Sequence, residues 1–220
     1  MRTLKLIAGL ALLPVALPAQ QNWNDRLAAL PDDVREKVVQ IVTDAASRGL
    51  PGQPIADRAL ETIAKSRSGA EAVAVAQALA ADLAGGRDAL TSAGRAPDAS
   101  EIEAAATAKE LGVDGAAISD LASSAPSGRS LAVPLAVIGA LVDRGLPSDA
   151  ALQSVLDRLN ARASDAELAA MPGEAGRMIA AGYRPSDVGR ALGAGRPAGL
   201  PANGGRAGAR PTTPGHPGKP

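Results

Sequence analysis

The chain has 220 residues, with 23 Lys plus Arg against 23 Asp plus Glu, one His, no Cys, no Phe, one Trp and one Tyr. Without cysteine there is no disulfide, no thiolate nucleophile and no cysteine-ligated metal, so the fold relies on burial alone. The apolar side chains left for a core are Leu, Val, Ile and much Ala, which let helices approach closely but bury little area each. Arg outnumbers Lys by 18 to 5, a composition with no functional inference attached.

The charges are unevenly spread. Residues 20–182 carry 15 basic against 22 acidic side chains, whereas 183–220 carry six basic residues and only Asp187. This asymmetry is consistent with a merely solvated tail, and it also allows the tail to fold back on the body or to reach an anionic envelope surface.

At the start, Arg2 and Lys5 precede an apolar stretch from Leu6 to Leu17, which is followed by Pro18-Ala19 and Gln20-Gln21. A basic segment, an apolar segment and a small-residue site in that order predict a signal peptide over 1–19. The apolar stretch is shorter than the roughly 18–20 residues of a membrane-crossing helix and is broken by Pro14. The expectation is an exported protein, periplasmic or extracellular, with no membrane anchor after cleavage. Trp23 then serves as the apolar anchor of a short first helix capped by Asn24.

Helix signals follow in succession. Over 31–48, Val34, Val38, Ile41, Val42 and Ala45 form one apolar stripe, with Pro31 and the Asp32-Asp33 pair at the start and Arg48-Gly49 at the end. Further starts are predicted at Pro54, at Ser100 with Glu103, at Ser148, and at Ser164 with Glu167. In a Ser-x-x-Glu capping box each side chain satisfies the other residue's orphan amide. Leu152, Val155, Leu156 and Leu159 predict a one-sided surface helix. Residues 131–142 carry no charge and are apolar on nearly every face, as expected of a central core helix. Turns are expected at Gly85-Gly86, over 93–98 and over 126–128. No period-two alternation is present, so no sheet is predicted.

The tetrapeptide Arg48-Gly49-Leu50-Pro51 returns as Arg144-Gly145-Leu146-Pro147, with looser echoes at Gly112-Val113-Asp114 and Gly182-Tyr183-Arg184-Pro185. Each reads as a helix stop and restart, in which a left-handed glycine is followed by an apolar residue that packs back on the helix just left. Leu146 onto Leu141 and Tyr183 onto Met178 are the expected contacts. The fold class is all-α, either an irregular helical bundle or a short array of stacked helical hairpins. The predicted domains are one helical body over 20–192 and a disordered Gly/Pro-rich tail over 193–220.

Chemistry is scarce. The sole histidine, His216, lies in that tail, which excludes a histidine-based triad and the usual zinc sites. Asp32-Asp33 and Glu101-x-Glu103 are explained by first helical turns, and neighbours one or two apart on a helix do not face each other. A Ser-Lys pair built on Lys65-Ser66, or on Lys37 with a distant serine, has no supporting motif. No phosphate loop, nucleophile elbow or EF-hand pattern occurs. The sequence nominates no catalytic, cofactor or metal residue. Its leading functional reading is a non-enzymatic module of the cell envelope that contacts another protein, with no nucleic-acid partner. Two alternatives are an exported hydrolase acting on peptidoglycan or peptide through carboxylates or a Ser-Lys pair, and a tail that binds an anionic envelope polymer.

Overall fold

The computed structural model describes residues 22–65 and 67–195. The expected signal peptide over 1–19 lies outside the described residues, as does the tail from residue 196 onward. The regular secondary structure of the described residues is all α-helix, with no strand among them, in agreement with the absence of period-two patterning.

The elements in chain order are α1 (Asn22–Leu27), α2 (Asp32–Ser47), α3 (Gln53–Ala64), α4 (Gly69–Ser92), α5 (Ala99–Glu110), α6 (Gly115–Ser124), α7 (Ala132–Asp143), α8 (Ser148–Asn160), α9 (Asp165–Ala180) and α10 (Pro185–Gly193). They fall into two compact units, one extending to Ala84 and one starting at Gly85, so that α4 contributes residues to both.

In the first unit α1, α2 and α3 pack on one another. Trp23 is buried as the expected anchor, but α1 already begins at Asn22, so Asn24 lies inside the helix and does not cap it. The α2 stripe is buried through Val34, Val38, Val42 and Ala45, while Ile41 stays half-buried at its margin. Pro31 is the N-cap itself, with Asp32 and Asp33 in the first turn at the positive end of the helix dipole. An ion pair of 2.6 Å joins Arg26 of α1 to Asp57 of α3; with both side chains nearly half exposed it contributes at most about 1 kcal/mol.

The second unit has a regular plan. Helix α7 packs against α5 on one side and α9 on the other, while α8 packs against α6 and α10. Alternate helices thus stack in two layers, α5-α7-α9 and α6-α8-α10, and α7-α8 and α9-α10 are hairpins that join them. Of the two expected arrangements, stacked hairpins describe this unit. The apolar segment over 131–142 becomes α7, the central helix, with Leu135, Ile138 and Leu141 essentially inaccessible. Pro134 sits in its first turn, where its missing N–H is one of the orphan donors in any case. Helix α8 is one-sided as expected, its exposed stripe running through Asp149, Gln153, Asp157 and Asn160. It buries Ala151, Ser154, Val155 and Leu159, and α6, α7 and α10 all pack on it, leaving Leu152 and Leu156 half-buried.

The scarcity of large core side chains has a geometric consequence. A Cβ on Gly86 of α4 would stand 2.8 Å from Ala105 Cβ of α5, and one on Gly139 of α7 would stand 3.2 Å from Ala108 Cα of α5. On Gly189 of α10 it would stand 3.1 Å from Ala150 Cβ of α8. The helices therefore meet backbone to backbone at Gly-Ala contacts, where packing density rather than side-chain size fills the space. This corrects the expected turn at Gly85-Gly86: both residues lie inside α4, and Gly86 is there because α5 passes too close for a side chain. The turns over 93–98 and 126–128 are present.

Helix ends follow the predicted stop chemistry. Gly145 has φ +89°, its N–H donates to Val142 O at 2.8 Å, and the Leu146 N–H donates to Leu141 O at 3.1 Å. Tyr183 N–H donates likewise to Met178 O at 3.1 Å. Leu146, Leu141 and Met178 are buried, and Tyr183 is half-buried against the same core. The capping box at Ser164 and Glu167 is formed as expected. The one expected at Ser100 and Glu103 is displaced by two residues to Asp98 and Glu101.

Candidate functional site

The residues around that displaced box line an open cleft of about 570 Å³ in the second unit. Its walls are the α4-α5 loop, the end of α6 and the α6-α7 loop, and its polar side chains include Arg95, Asp98, Glu101 and Arg129. Asp98 Oδ1 accepts from the Glu101 N–H at 2.9 Å and from Ser100 Oγ at 2.6 Å. Those bonds, the Ser100 hydroxyl first, hold the Asp98 carboxyl below its ordinary value. Glu101 is buried and spans two elements. One carboxylate oxygen accepts from the Asp98 N–H at 3.1 Å, and the other accepts from the Leu131 N–H at 2.7 Å, thirty residues away at the start of α7. That second bond selects Asp98 and Glu101 over Ser100 and Glu103, because only a carboxylate at 101 reaches the orphan amide of α7 while closing its own box.

Arg95 follows Gly94, which ends α4 with φ +79°. Its guanidinium donates from Nε to Ala122 O at 3.0 Å, from Nη2 to Ala125 O at 2.9 Å and Pro126 O at 3.2 Å, and from Nη1 to Arg129 O at 3.1 Å. The unsatisfied carbonyls at the end of α6 are thus closed by a cation at the negative end of the helix dipole. Arg129 repeats only the last of these bonds one hairpin later, to the loop that feeds α9. It donates from Nη1 to Ala163 O at 2.8 Å and from Nη2 to Asp165 Oδ1 at 2.7 Å, the latter an ion pair. Four donors in a rigid planar fork suit this work in a way an ammonium does not. No motif or helix signal marks these arginines; their trace in the sequence is the Gly-Arg dipeptide at 94–95 returning at 128–129.

Chemically, the cleft is a joint. Its buried carboxylate accepts backbone amides, and its arginines donate mainly to backbone carbonyls, so both kinds of charge are committed to holding loops together. The groups weighed on sequence as chemistry lie elsewhere or apart. Asp32 pairs with Arg35 at 2.6 Å, and Lys65 Nζ donates to Glu61 Oε1 at 2.6 Å, which lowers the Glu61 carboxyl. Lys37 is exposed on α2, and Ser66 and His216 lie outside the described residues. Glu103 does not converge with Glu101; it is half-buried on α5, and burial raises its carboxyl above the ordinary 4.5. Among the described residues no group of three acidic or histidine side chains is placed to hold a metal ion. No described helix is long and apolar enough to cross a membrane.

No protein-family model matches the chain, and no curated protein or solved structure is similar to it at a significant level.

Proposed function

We propose that this chain is a non-enzymatic helical scaffold of the cell envelope that acts by contact with another protein. The observation that carries the reading is the two-layer stacking of α5 to α10, since stacked hairpins present a continuous face built from several helices. On the outer side of α7 and α9 that face carries Ala136, Ala169, Ala170 and Gly173, all exposed. Side chains this small let a partner's backbone come close, as Gly86 and Gly139 do inside the protein. The envelope location rests on the basic and apolar pattern of residues 2–17.

The test is affinity purification of the full chain from envelope extracts of its native cells, alongside an Ala136→Arg, Ala169→Arg variant matched for thermal stability. One protein recovered in stoichiometric amount with the wild type, and lost with the variant, is the expected result. Equal recovery with both chains, or with neither, would overturn the reading.

A further inference from the structure

We infer that residues 95–195 are three tandem copies of one helical-hairpin repeat of about 34 residues, and that each copy is latched to the next through a repeat-spaced hydrogen bond. Four independent features keep the same period. Left-handed backbone occurs at Gly94, Gly128, Arg162 and Gly195, spaced 34, 34 and 33 residues apart. Each position lies just past the end of a helix: α6, α8 and α10 close the three copies, and α4 precedes the first. The N-caps of the first helices are Asp98, Leu131 and Ser164, two intervals of 33. The latch has the same spacing: Arg95 donates to the carbonyl of residue 129, and Arg129 to that of residue 163.

Burial is repeated in register. Ile102, Leu135 and Leu168 are the fourth residues after their caps and are all buried, as are Ala122, Val155 and Leu192, the eighth after the caps Asp114, Pro147 and Arg184. The departure from period lies inside the third copy, where α9 gains one helical turn and α10, with 9 residues against 13 in α8, loses one, so that Arg162 to Gly195 stays at 33. Helix α9 has 16 residues where α5 and α7 have 12, so the interval from Gly145 to Gly182 is 37 where that from Gly112 to Gly145 is 33. Hydrophobic pattern alone does not produce such agreement in an irregular bundle, where caps, loops and side-chain latches need share no spacing. In a repeat array each copy contacts its neighbours, so a copy inserted in phase meets the same surfaces as the original.

The experiment duplicates Arg129 to Arg162 immediately after Arg162 in the full chain, and compares it with a duplication of Arg129 to Gly145 alone, which adds one helix and reverses the layer order. A second version of each carries Arg162→Gly in every copy, which relieves the junction. The in-phase duplication is expected to unfold cooperatively within a few degrees of the parent. Its helical circular-dichroism signal should rise by the 12 and 13 residues of another α7-α8 pair. The half-repeat chain is expected to lose cooperative unfolding. Loss in both lengths with either residue at 162, equal tolerance of both lengths, or tolerance of the half repeat alone would overturn the inference.

Discussion

The guanidinium of Arg95 donates to the main-chain carbonyl of Arg129 across 3.1 Å, so a side chain at the start of one helical hairpin reads the backbone at the start of the next. Three of its four bonds go to carbonyls at or just beyond the end of α6, and the fourth fixes the loop that feeds α7. Arg95→Ala leaves those carbonyls to whatever water enters the open cleft. Hydrogen bonds from a charged donor contribute about 1.5–3 kcal/mol each when isolated, but water substitutes for part of this, and a net loss of about 2 kcal/mol is expected. Arg95→Lys should recover less than half of it, because one ammonium cannot hold four acceptors in a plane. Urea titration followed by circular dichroism reads both values; equal stability of wild type and Arg95→Ala would show that the latch is ornamental.

Arg162 has φ +60°, the non-glycine residue in this conformation among the described residues, where Gly94 and Gly128 occupy the corresponding positions. Left-handed backbone costs a non-glycine residue about 1–2 kcal/mol, and glycine loses roughly 0.5–1 kcal/mol of conformational entropy on folding. Arg162→Gly is therefore expected to stabilise the protein by up to about 1 kcal/mol. Gly145→Ala, with φ +89° and no atom near its would-be Cβ, should destabilise by a similar amount through backbone strain alone. Thermal melts of the two variants should move in opposite directions.

Those two positions also mark how far the chain could be read before it was seen folded. Helix stops at Gly49, Gly145 and Gly182 were legible because the stop signal is local, a glycine followed by an apolar residue. The box at Ser164 and Glu167 is equally local. The box near residue 100 was not, since Asp98-x-x-Glu101 and Ser100-x-x-Glu103 both fit, and the choice is made by the amide of Leu131, thirty residues on. Gly85-Gly86 resembles a turn until α5 is seen to need the space. Arg95 and Arg129 were invisible for the same reason: an arginine's partners here are distant carbonyls, and no residue pattern announces a carbonyl.

Glycine-to-alanine changes inside helices separate close packing from propensity. At Gly115, the first residue of α6, nothing lies within 4 Å of the added methyl, so the better helix former should gain up to about 1 kcal/mol. At Gly139 the methyl would meet Ala108 Cα at 3.2 Å and Leu111 Cδ1 at 3.1 Å, and α5 and α7 must move apart. Overpacking of this kind costs about 1–3 kcal/mol, more than propensity returns, so Gly139→Ala should be net destabilising. Gly86→Ala, with Ala105 Cβ at 2.8 Å, should behave the same way. Chemical denaturation of the three variants is the check, and a gain at Gly139 would mean that the helix pair can relax freely.

Acid should separate two kinds of carboxylate. The Asp98 carboxyl is lowered, chiefly by the Ser100 hydroxyl, and the Glu71 and Glu167 carboxyls are lowered by the Ser68 and Ser164 backbone amides first. Each contributes stability that is present above its unfolded value and disappears as pH falls through the lower folded value. Glu103 has the opposite sign. Its folded carboxyl lies above 4.5 because burial disfavours the charge, so the folded protein binds the proton more tightly, and stability is lost as pH rises from 4.5 through the folded value. Glu103→Gln keeps the shape and removes the buried charge. It should be more stable than wild type at pH 7 and should converge with it below pH 4.5, while Asp98→Asn should be less stable at pH 7 and converge in acid from the other side. Urea midpoints measured from pH 3 to pH 7 decide the matter, and a Glu103→Gln difference that does not change with pH would show that the carboxylate is fully solvated.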